Sequence, residues 1–250
     1  MNLIQAVVLL CAYLVTEVRA LQRCKSRYSS VKDQSISCNS DKVGEPLLLT
    51  PLIESKKFDD AKNQSRVLPL LDDTESYSGF FTVNKTTESH LYFWFFSNTK
   101  NISSPLILWL QGGPGISSLF GLFTENGPFQ LTDNWTLEQR VHAWTNKYHM
   151  LYIDQPVGTG FSFTKREGYI KTQDEVAEHL YEALIQFYQL FSEFKGNDLY
   201  IAGEGYAGKF IPTIGYKIHT ESSSQIPLKG MIIGNGYTDP EYLQDFGEHY

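Results

Sequence analysis

A glycine-rich segment, Gly203 to Gly208 (GEGYAG), has the spacing of a turn that could present a reactive side chain. It lies between an apolar stretch at 199–202 and a helical pattern at 207–218. A sharp strand-to-helix turn of sequence G-x-S-x-G exposes its central serine above a sheet, where the hydroxyl can act as a nucleophile. Here the central position is Gly205, which has no oxygen to attack a carbonyl. Taken alone, the glycines are better explained by a plain tight turn.

The elements that would position this turn alternate between strands and helices. A helical pattern begins at Thr172 with the capping-box sequence TQDE and extends to Phe194, and a second covers 207–218. The alternation predicts an α/β fold with a mostly parallel sheet flanked by helices, in a single domain. Six runs have the composition of strands, and they are 80–83, 90–96, 105–110, 150–153, 199–202 and 229–233.

The composition is that of a folded, acidic protein. The 250 residues include 21 Lys+Arg and 28 Asp+Glu, which gives a net charge of −7, and 42% are hydrophobic. An aromatic share of 14% predicts a substantial buried core. The charge balance disfavours nucleic acid as a partner, because phosphate binding needs clustered Lys and Arg. The cysteines lack metal-ligand spacing, and we expect neither a metal nor a cofactor.

The beginning of the chain has the pattern of a secretory signal peptide, predicted at 1–20. Its apolar run, Leu3 to Val15, is too short to span a membrane, and no later stretch approaches the necessary length. The n-region lacks Lys and Arg, and a buried N-terminal helix is the alternative. Residues 21–75 are polar, without a strong helix or strand period, and are predicted to be an extended leader that wraps the domain at 76–250.

Two further features concern the compartment in which the chain resides. Cys24 and Cys38 could pair in a secreted protein, although neither belongs to a motif with visible chemistry. We therefore expect the secretory pathway, with a secreted or lysosomal destination. Four N-x-[ST] triplets are candidate glycosylation sites, and their asparagines are Asn63, Asn84, Asn101 and Asn134.

Four ordered motifs between Tyr77 and Pro240 remove the ambiguity of the glycine-rich turn. They resemble the WLNGGPGCSS, DQPxGxGFS, GESYAGKY and GNGxxDP signatures of the serine carboxypeptidases. The sequence is most similar to the vitellogenic carboxypeptidase-like branch of that family. The resemblance implies the α/β-hydrolase fold and a Ser-Asp-His triad that releases C-terminal residues from peptides. The motifs are WLQGGPGISS at 109–118, DQPVGTGFS at 154–162, GEGYAGK at 203–209 and GNGYTDP at 234–240.

The resemblance also implies a substrate site that binds peptide or protein C-termini. The backbone N–H groups of Gly113 and Tyr206 would form the oxyanion hole. Gln111, Glu125 and Glu204 would hold the terminal carboxylate, with a shared proton relieving repulsion, which implies an acidic optimum. Without the resemblance, Gln111 and Glu125 would be interpreted as hydrogen-bond partners of buried backbone groups. Glu204 would be interpreted as a cap of the following helix.

Several departures from the family pattern bear on catalysis. Gln111 stands where the family has Asn, and Ile116 replaces the usual Cys, so that the disulfide expected there is absent. Gly205 stands at the nucleophile position, and the family's Asp and His would follow Tyr250 together with the last strands of the sheet. Because no base is evident for the nearby serines, which are Ser117, Ser118 and Ser162, none of them is predicted to replace the nucleophile.

The sequence therefore predicts a serine carboxypeptidase homologue that is catalytically inactive as written. Residues 21–250 are also predicted to be poorly soluble, since the missing strands would leave an exposed sheet edge and apolar surface. Three alternatives stay open: an active carboxypeptidase represented by an incomplete or altered sequence, a non-catalytic binder of peptide C-termini, and a non-functional truncated product.

Overall fold

A mixed seven-stranded sheet forms the centre of the structure, a computed structural model that describes residues 44–71, 74–134, 136–221 and 225–247. The strand order is β1-β2-β3-β7-β4-β8-β9, and β5 pairs with β6 separately. The strands are β1 (Arg66–Val67), β2 (Ser76–Asn84), β3 (Ser89–Phe96), β4 (Leu106–Leu110), β5 (Phe129–Leu131), β6 (Leu137–Gln139), β7 (His149–Ile153), β8 (Leu199–Glu204) and β9 (Leu228–Gly234).

The pairing of the strands confirms the predicted α/β class and refines it. Strands β7, β4, β8 and β9 pair in parallel, whereas β1, β2, β3 and β7 pair in antiparallel fashion. Every residue of β3, β4 and β7 is buried, because the sheet is covered on both faces. Strand β4 lies between β7 and β8, so the segments that follow these three strands meet at one edge.

Helices cover the sheet on both sides. The longest, α4, begins after Thr172, and the predicted capping box is present, with Thr172 Oγ1 accepting from the Glu175 N–H at 3.3 Å. Helix α4 ends at Leu190, earlier than predicted, and a 3₁₀ turn follows at Ser192–Phe194. The helices are α1 (Thr50–Glu54), α2 (Phe58–Ser65), α3 (Leu119–Thr124), α4 (Gln173–Leu190), α5 (Ala207–Thr220) and α6 (Pro240–Gly247).

The prediction of an extended leader over 21–75 is wrong for residues 44–71. This part contains α1, α2 and β1, and it packs against β2 and α4. Leu49 and Ala61 are fully buried, and Thr50 Oγ1 donates to Gln186 Oε1 of α4 at 2.6 Å. Helices this short have too few turns to show a helical period in their sequence, and their stability depends on burial against the rest of the protein. The predicted signal peptide and the three cysteines lie outside the described residues.

The strand at one edge of the sheet carries exposed apolar side chains. Within the described residues, β9 pairs only with β8. Met231 is 51% exposed, Ile232 46% and Ile233 37%. An edge of this kind offers unpaired backbone groups beside an apolar surface, which favours pairing with another chain.

Candidate functional site

The glycine-rich turn has the geometry of an elbow between β8 and α5. Gly205 lies in the left-handed region with φ +56°, which glycine adopts without a steric penalty. Its N–H donates to the Gly234 carbonyl at 3.1 Å, and its carbonyl accepts from the Tyr237 N–H at 2.8 Å. A Cβ placed on Gly205 would meet no heavy atom within 4 Å. The central position of the turn therefore faces open space, although it carries no side chain.

The loop that follows β4 packs directly against this elbow. A Cβ on Gly112 would lie 2.6 Å from both the Glu204 carbonyl oxygen and the Tyr206 nitrogen, so only glycine permits the approach. Within the described parts of the chain, the N–H groups of Gly113 and Tyr206 donate no hydrogen bond. The structure thus brings the segments of the two predicted oxyanion donors together and leaves both donors available to a ligand.

A cluster of carboxyl and amide groups, formed by Gln111, Glu125 and Glu204, lies beside the elbow. Gln111 is 4% exposed, and its Nε2 donates to Glu204 Oε1 at 2.7 Å. Its Oε1 accepts from Trp109 Nε1 at 2.9 Å. Glu125 Oε2 is buried and has no hydrogen-bond partner among the described residues. An unpaired buried carboxyl oxygen beside a bonded amide–carboxylate pair is a suitable place for a polar ligand.

The protonation of Glu125 follows from its surroundings. Burial, and next the negative charge of Glu204, raise the pKa of Glu125 to about 7. Contact with Gln111 and the positive charge of Arg140 act in the opposite direction. Glu125 therefore carries a proton through the mildly acidic range, and the cluster then has a hydrogen-bond donor for a second carboxylate.

The contacts of Gln111 and Glu204 differ from those expected for purely structural roles as a backbone partner and a helix cap. Both amide atoms of Gln111 are bonded to side chains, so neither satisfies a backbone group. Glu204 bonds to Gln111 and accepts from no backbone N–H of α5 within the described residues. Gln111 bonds to Glu204 and to Trp109, and Glu125 Oε2 has no hydrogen-bond partner among the described residues.

Asp154, the first residue of the DQPVGTGFS motif, joins the two loops that border the site. Its Oδ1 accepts from Ser117 Oγ at 2.6 Å and from the Ser118 N–H at 2.9 Å, and its Oδ2 accepts from the Phe161 N–H at 2.9 Å. Burial raises the pKa of Asp154 to about 6. Its position at the end of a buried strand, where parallel strands end together, was the available signal.

The nearby serines have structural partners. Ser117 Oγ donates to Asp154, Ser118 Oγ donates to the Ile153 carbonyl at 2.6 Å, and Ser162 Oγ donates to the Asp154 carbonyl at 2.5 Å. Ser118 Oγ also accepts from the Gln111 N–H at 3.1 Å, which fixes the start of the loop after β4. Each hydroxyl is engaged in holding a loop, so none is placed as a substitute for a nucleophile at position 205.

The remaining predicted positions lie at the surface. Asn63, Asn101 and Asn134 are exposed, and Asn84, at the end of β2, is half-buried. In the described residues no group of three or more His, Cys, Asp or Glu side chains could hold a metal ion. A search of the same residues finds no helix with the length and apolar character needed to cross a membrane.

A mixed sheet whose parallel strand β8 leads through a left-handed turn at Gly205 into helix α5 is typical of the α/β hydrolases. The family model for serine carboxypeptidase matches residues 69–249. This match covers more than half of the chain, and the chain belongs to the serine carboxypeptidase family. A solved relative supports the fold: the prohormone-processing carboxypeptidase Kex1 from Saccharomyces cerevisiae has a TM-score of 0.62 and 32% identity, covering 70% of this chain and 42% of that one.

Curated relatives confirm the likeness to the vitellogenic branch. The probable serine carboxypeptidase CPVL of Homo sapiens is 52% identical over 206 residues, covering 80% of this chain and 43% of the relative. The vitellogenic carboxypeptidase of Aedes aegypti is 48% identical over 210 residues, with 82% and 45% coverage. The venom serine carboxypeptidase of Apis mellifera is 45% identical over 217 residues, with 84% and 46% coverage. The chain thus spans less than half the length of these relatives.

Proposed function

We propose that this chain binds the free C-terminal carboxylate of peptides at Gln111, Glu125 and Glu204 and does not cleave the peptides by the family's covalent route. The observation that carries the proposal is the unpaired, buried Oε2 of Glu125 beside the bonded pair of Gln111 and Glu204. A ligand carboxylate would supply the missing partner. The N–H groups of Gly113 and Tyr206 would receive the carbonyl oxygen of the last peptide bond.

The affinity of this pocket would depend on pH. Below about 7 the protonated Glu125 donates a hydrogen bond to the ligand carboxylate. When the pH rises through that value, Glu125 becomes negative, and three carboxylates then repel one another at close range. We therefore expect binding to be strong in acid and to be lost in mildly alkaline solution.

Covalent catalysis would need a nucleophile that Gly205 does not supply. In the family's route a serine oxygen bonds to the scissile carbonyl carbon and the peptide amine leaves after accepting a proton. Serine hydrolases that lack one triad member retain only about 10³ to 10⁴-fold acceleration over the reaction in water, from the oxyanion hole and binding. A chain with Gly205 would accordingly bind peptides and release them unchanged.

Fluorescence anisotropy with a labelled peptide tests the binding function. We expect the free acid to bind roughly tenfold or more tightly than the C-terminal amide at about pH 5.5, and the difference to vanish at about pH 8.5. Glu125→Gln provides a matched control, because its amide is a permanent neutral donor and its binding should depend less on pH. Equal affinity for acid and amide in acidic buffer would refute the proposal.

The open space at Gly205 favours a second candidate, an active peptidase in which serine occupies position 205. The Cβ of a serine there would meet no heavy atom within 4 Å. The tryptic peptide from Gly196 to Lys209 of the protein from its natural source reports by mass spectrometry which residue is present. Detection of serine, together with release of C-terminal residues from a peptide substrate, would favour this candidate over the binding function.

We further propose that the chain follows the secretory pathway. The support is the predicted signal peptide at 1–20 and the four candidate glycosylation sites, three of which have exposed asparagines. Expression in a secretory cell line, followed by removal of N-glycans, should lower the apparent mass. An unglycosylated product that retains residues 1–20 would contradict this proposal.

A further inference from the structure

Arg140, which no sequence motif includes, directs its guanidinium at the segment that carries Glu125. Its Nε donates to the Gly127 carbonyl at 3.1 Å, and its Nη2 donates to the carbonyls of Phe123 and Phe129, both at 3.2 Å. These three carbonyls lie on both sides of Glu125 in the chain. Arg140 has no ion pair with a carboxylate among the described residues. Its side-chain hydrogen bonds there go to backbone carbonyls.

The segment around Glu125 needs such support because regular structure ends there. Helix α3 ends at Thr124, and Glu125 has φ −121° and ψ −71°, outside the helical region. The next residue is held as well: Asn126 Oδ1 accepts from the Tyr152 hydroxyl at 2.8 Å, and its carbonyl accepts from the Trp144 N–H at 2.9 Å. A planar guanidinium can reach several carbonyls at once, whereas a lysine ammonium acts as a compact point charge.

Arg140 also supplies the positive charge that acts on Glu125. The charged or titratable groups that influence Glu125 are Glu204, whose charge opposes ionisation, and Arg140, whose charge favours it. Contact with the neutral amide of Gln111 also favours the ionised form. The Tyr152 hydroxyl, beside Asn126, is fully buried, and burial raises its pKa well above the usual value, so it stays neutral.

We propose that Arg140 is a positioning residue of the carboxylate site: it holds the segment that carries Glu125 through three backbone carbonyls, and its positive charge acts on the Glu125 carboxyl group. The consequence for ligand binding rests on the proposed function above. The effect of Arg140 on Glu125 is independent of the proposed function, because this effect is present in the ligand-free protein. Two measurements on the full chain can therefore separate the two proposals.

The first measurement is an NMR titration of the Glu125 side-chain carboxyl carbon in the ligand-free chain, with Glu125→Gln used to assign the resonance. Removing a nearby positive charge disfavours the carboxylate, so Arg140→Met should raise the titration midpoint by roughly 0.2 to 0.5 pH unit. Arg140→Lys keeps the charge and should leave the midpoint nearly unchanged. If the Met variant does not fold, Arg140→Gln, which is neutral but retains an amide donor, replaces it.

The second measurement is the affinity for a free-acid peptide in acidic solution. Both Arg140→Lys and Arg140→Met should weaken binding by roughly tenfold, because both lose hydrogen bonds to the carbonyls that flank Glu125. An unchanged Glu125 midpoint in the neutral variant would overturn the role of the charge, and unchanged affinity in both variants would overturn the positioning role. If the native chain binds no free-acid peptide while the midpoint still shifts, the proposed function fails and the effect of Arg140 on Glu125 stands.

Discussion

At the scale of single residues, Gly205 combines a loss of chemistry with a relaxed backbone. A residue with a side chain at φ +56° would be strained, whereas glycine adopts this conformation readily. A Cβ at this position would meet no heavy atom within 4 Å, so backbone strain, and not a clash, is the cost of adding one. The turn therefore tolerates the absence of a nucleophile and would also accept one.

We predict that Gly205→Ser folds and loses about 1 to 2 kcal/mol of unfolding free energy, the cost of a left-handed conformation for an L-residue. Gly205→Ala is the matched control, because it adds the same Cβ without a hydroxyl and should lose a similar amount. Urea denaturation measures both. A loss well above this range in both variants would show that the space around position 205 is occupied.

At the scale of elements, the two loops that border the site are coupled through one buried carboxylate. Asp154 accepts hydrogen bonds from the loop after β4 through Ser117 and Ser118, and from its own loop through Phe161. All three partners are donors. The arrangement therefore requires an acceptor at both oxygens, which only a carboxyl-type side chain of this length provides.

We predict that Asp154→Asn lowers the unfolding free energy by about 1 to 3 kcal/mol, because its NH₂ group leaves one buried donor unsatisfied. Ser117→Ala is the milder control, since it removes one donor and leaves the two backbone donors bonded. The comparison is made by thermal and urea unfolding. A Ser117→Ala variant as unstable as Asp154→Asn would indicate that packing, and not the acceptor, is responsible.

The start of α4 gives a second prediction at this scale. Thr172 caps the helix that packs against β2 and α5, through its side-chain oxygen and the Glu175 N–H. Thr172→Ala should lower the unfolding free energy by about 1 kcal/mol, whereas Thr172→Ser, which retains the hydroxyl, should lose much less. Equal losses in the two variants, measured by urea denaturation, would exclude the cap as the cause.

At the scale of the whole molecule, the exposed edge strand β9 dominates the expected solution behaviour. Met231, Ile232 and Ile233 are apolar and exposed on a strand that pairs with β8 alone within the described residues. Edges of this kind associate unless charge or a covering segment prevents it. This observation supports the sequence-based expectation of poor solubility, which stays a prediction until it is measured.

We predict that the chain associates with increasing concentration and that Ile232→Lys reduces this association. Val141→Lys is the matched control, because Val141 is 78% exposed and belongs to no strand, so it adds the same charge outside β9. Sedimentation velocity at several concentrations measures both. If the two variants reduce association equally, the added net charge is the cause and not the edge strand. A native chain that stays monomeric at all concentrations would contradict the prediction itself.

The family and most of the sheet could be predicted from the sequence because the signals are local. The apolar runs that became β3, β4 and β7 and the capping box of α4 each lie within a few consecutive residues, and their periodicity is independent of distant parts of the chain. The absence of a nucleophile at Gly205 is likewise a property of one position. Local composition sufficed for each of these.

The tertiary structure decided the contacts between distant side chains, although the family resemblance had implied that Gln111, Glu125 and Glu204 share a site. Gln111 and Glu204 are 93 positions apart and bond only because β4 and β8 are neighbours in the sheet. Arg140 reaches the Glu125 segment from beyond a hairpin, with no pattern in its own surroundings to indicate it. Helices α1 and α2 form because burial, and not a helical period, stabilises them. Contacts between distant segments depend on strand order and loop path, which local sequence patterns do not encode.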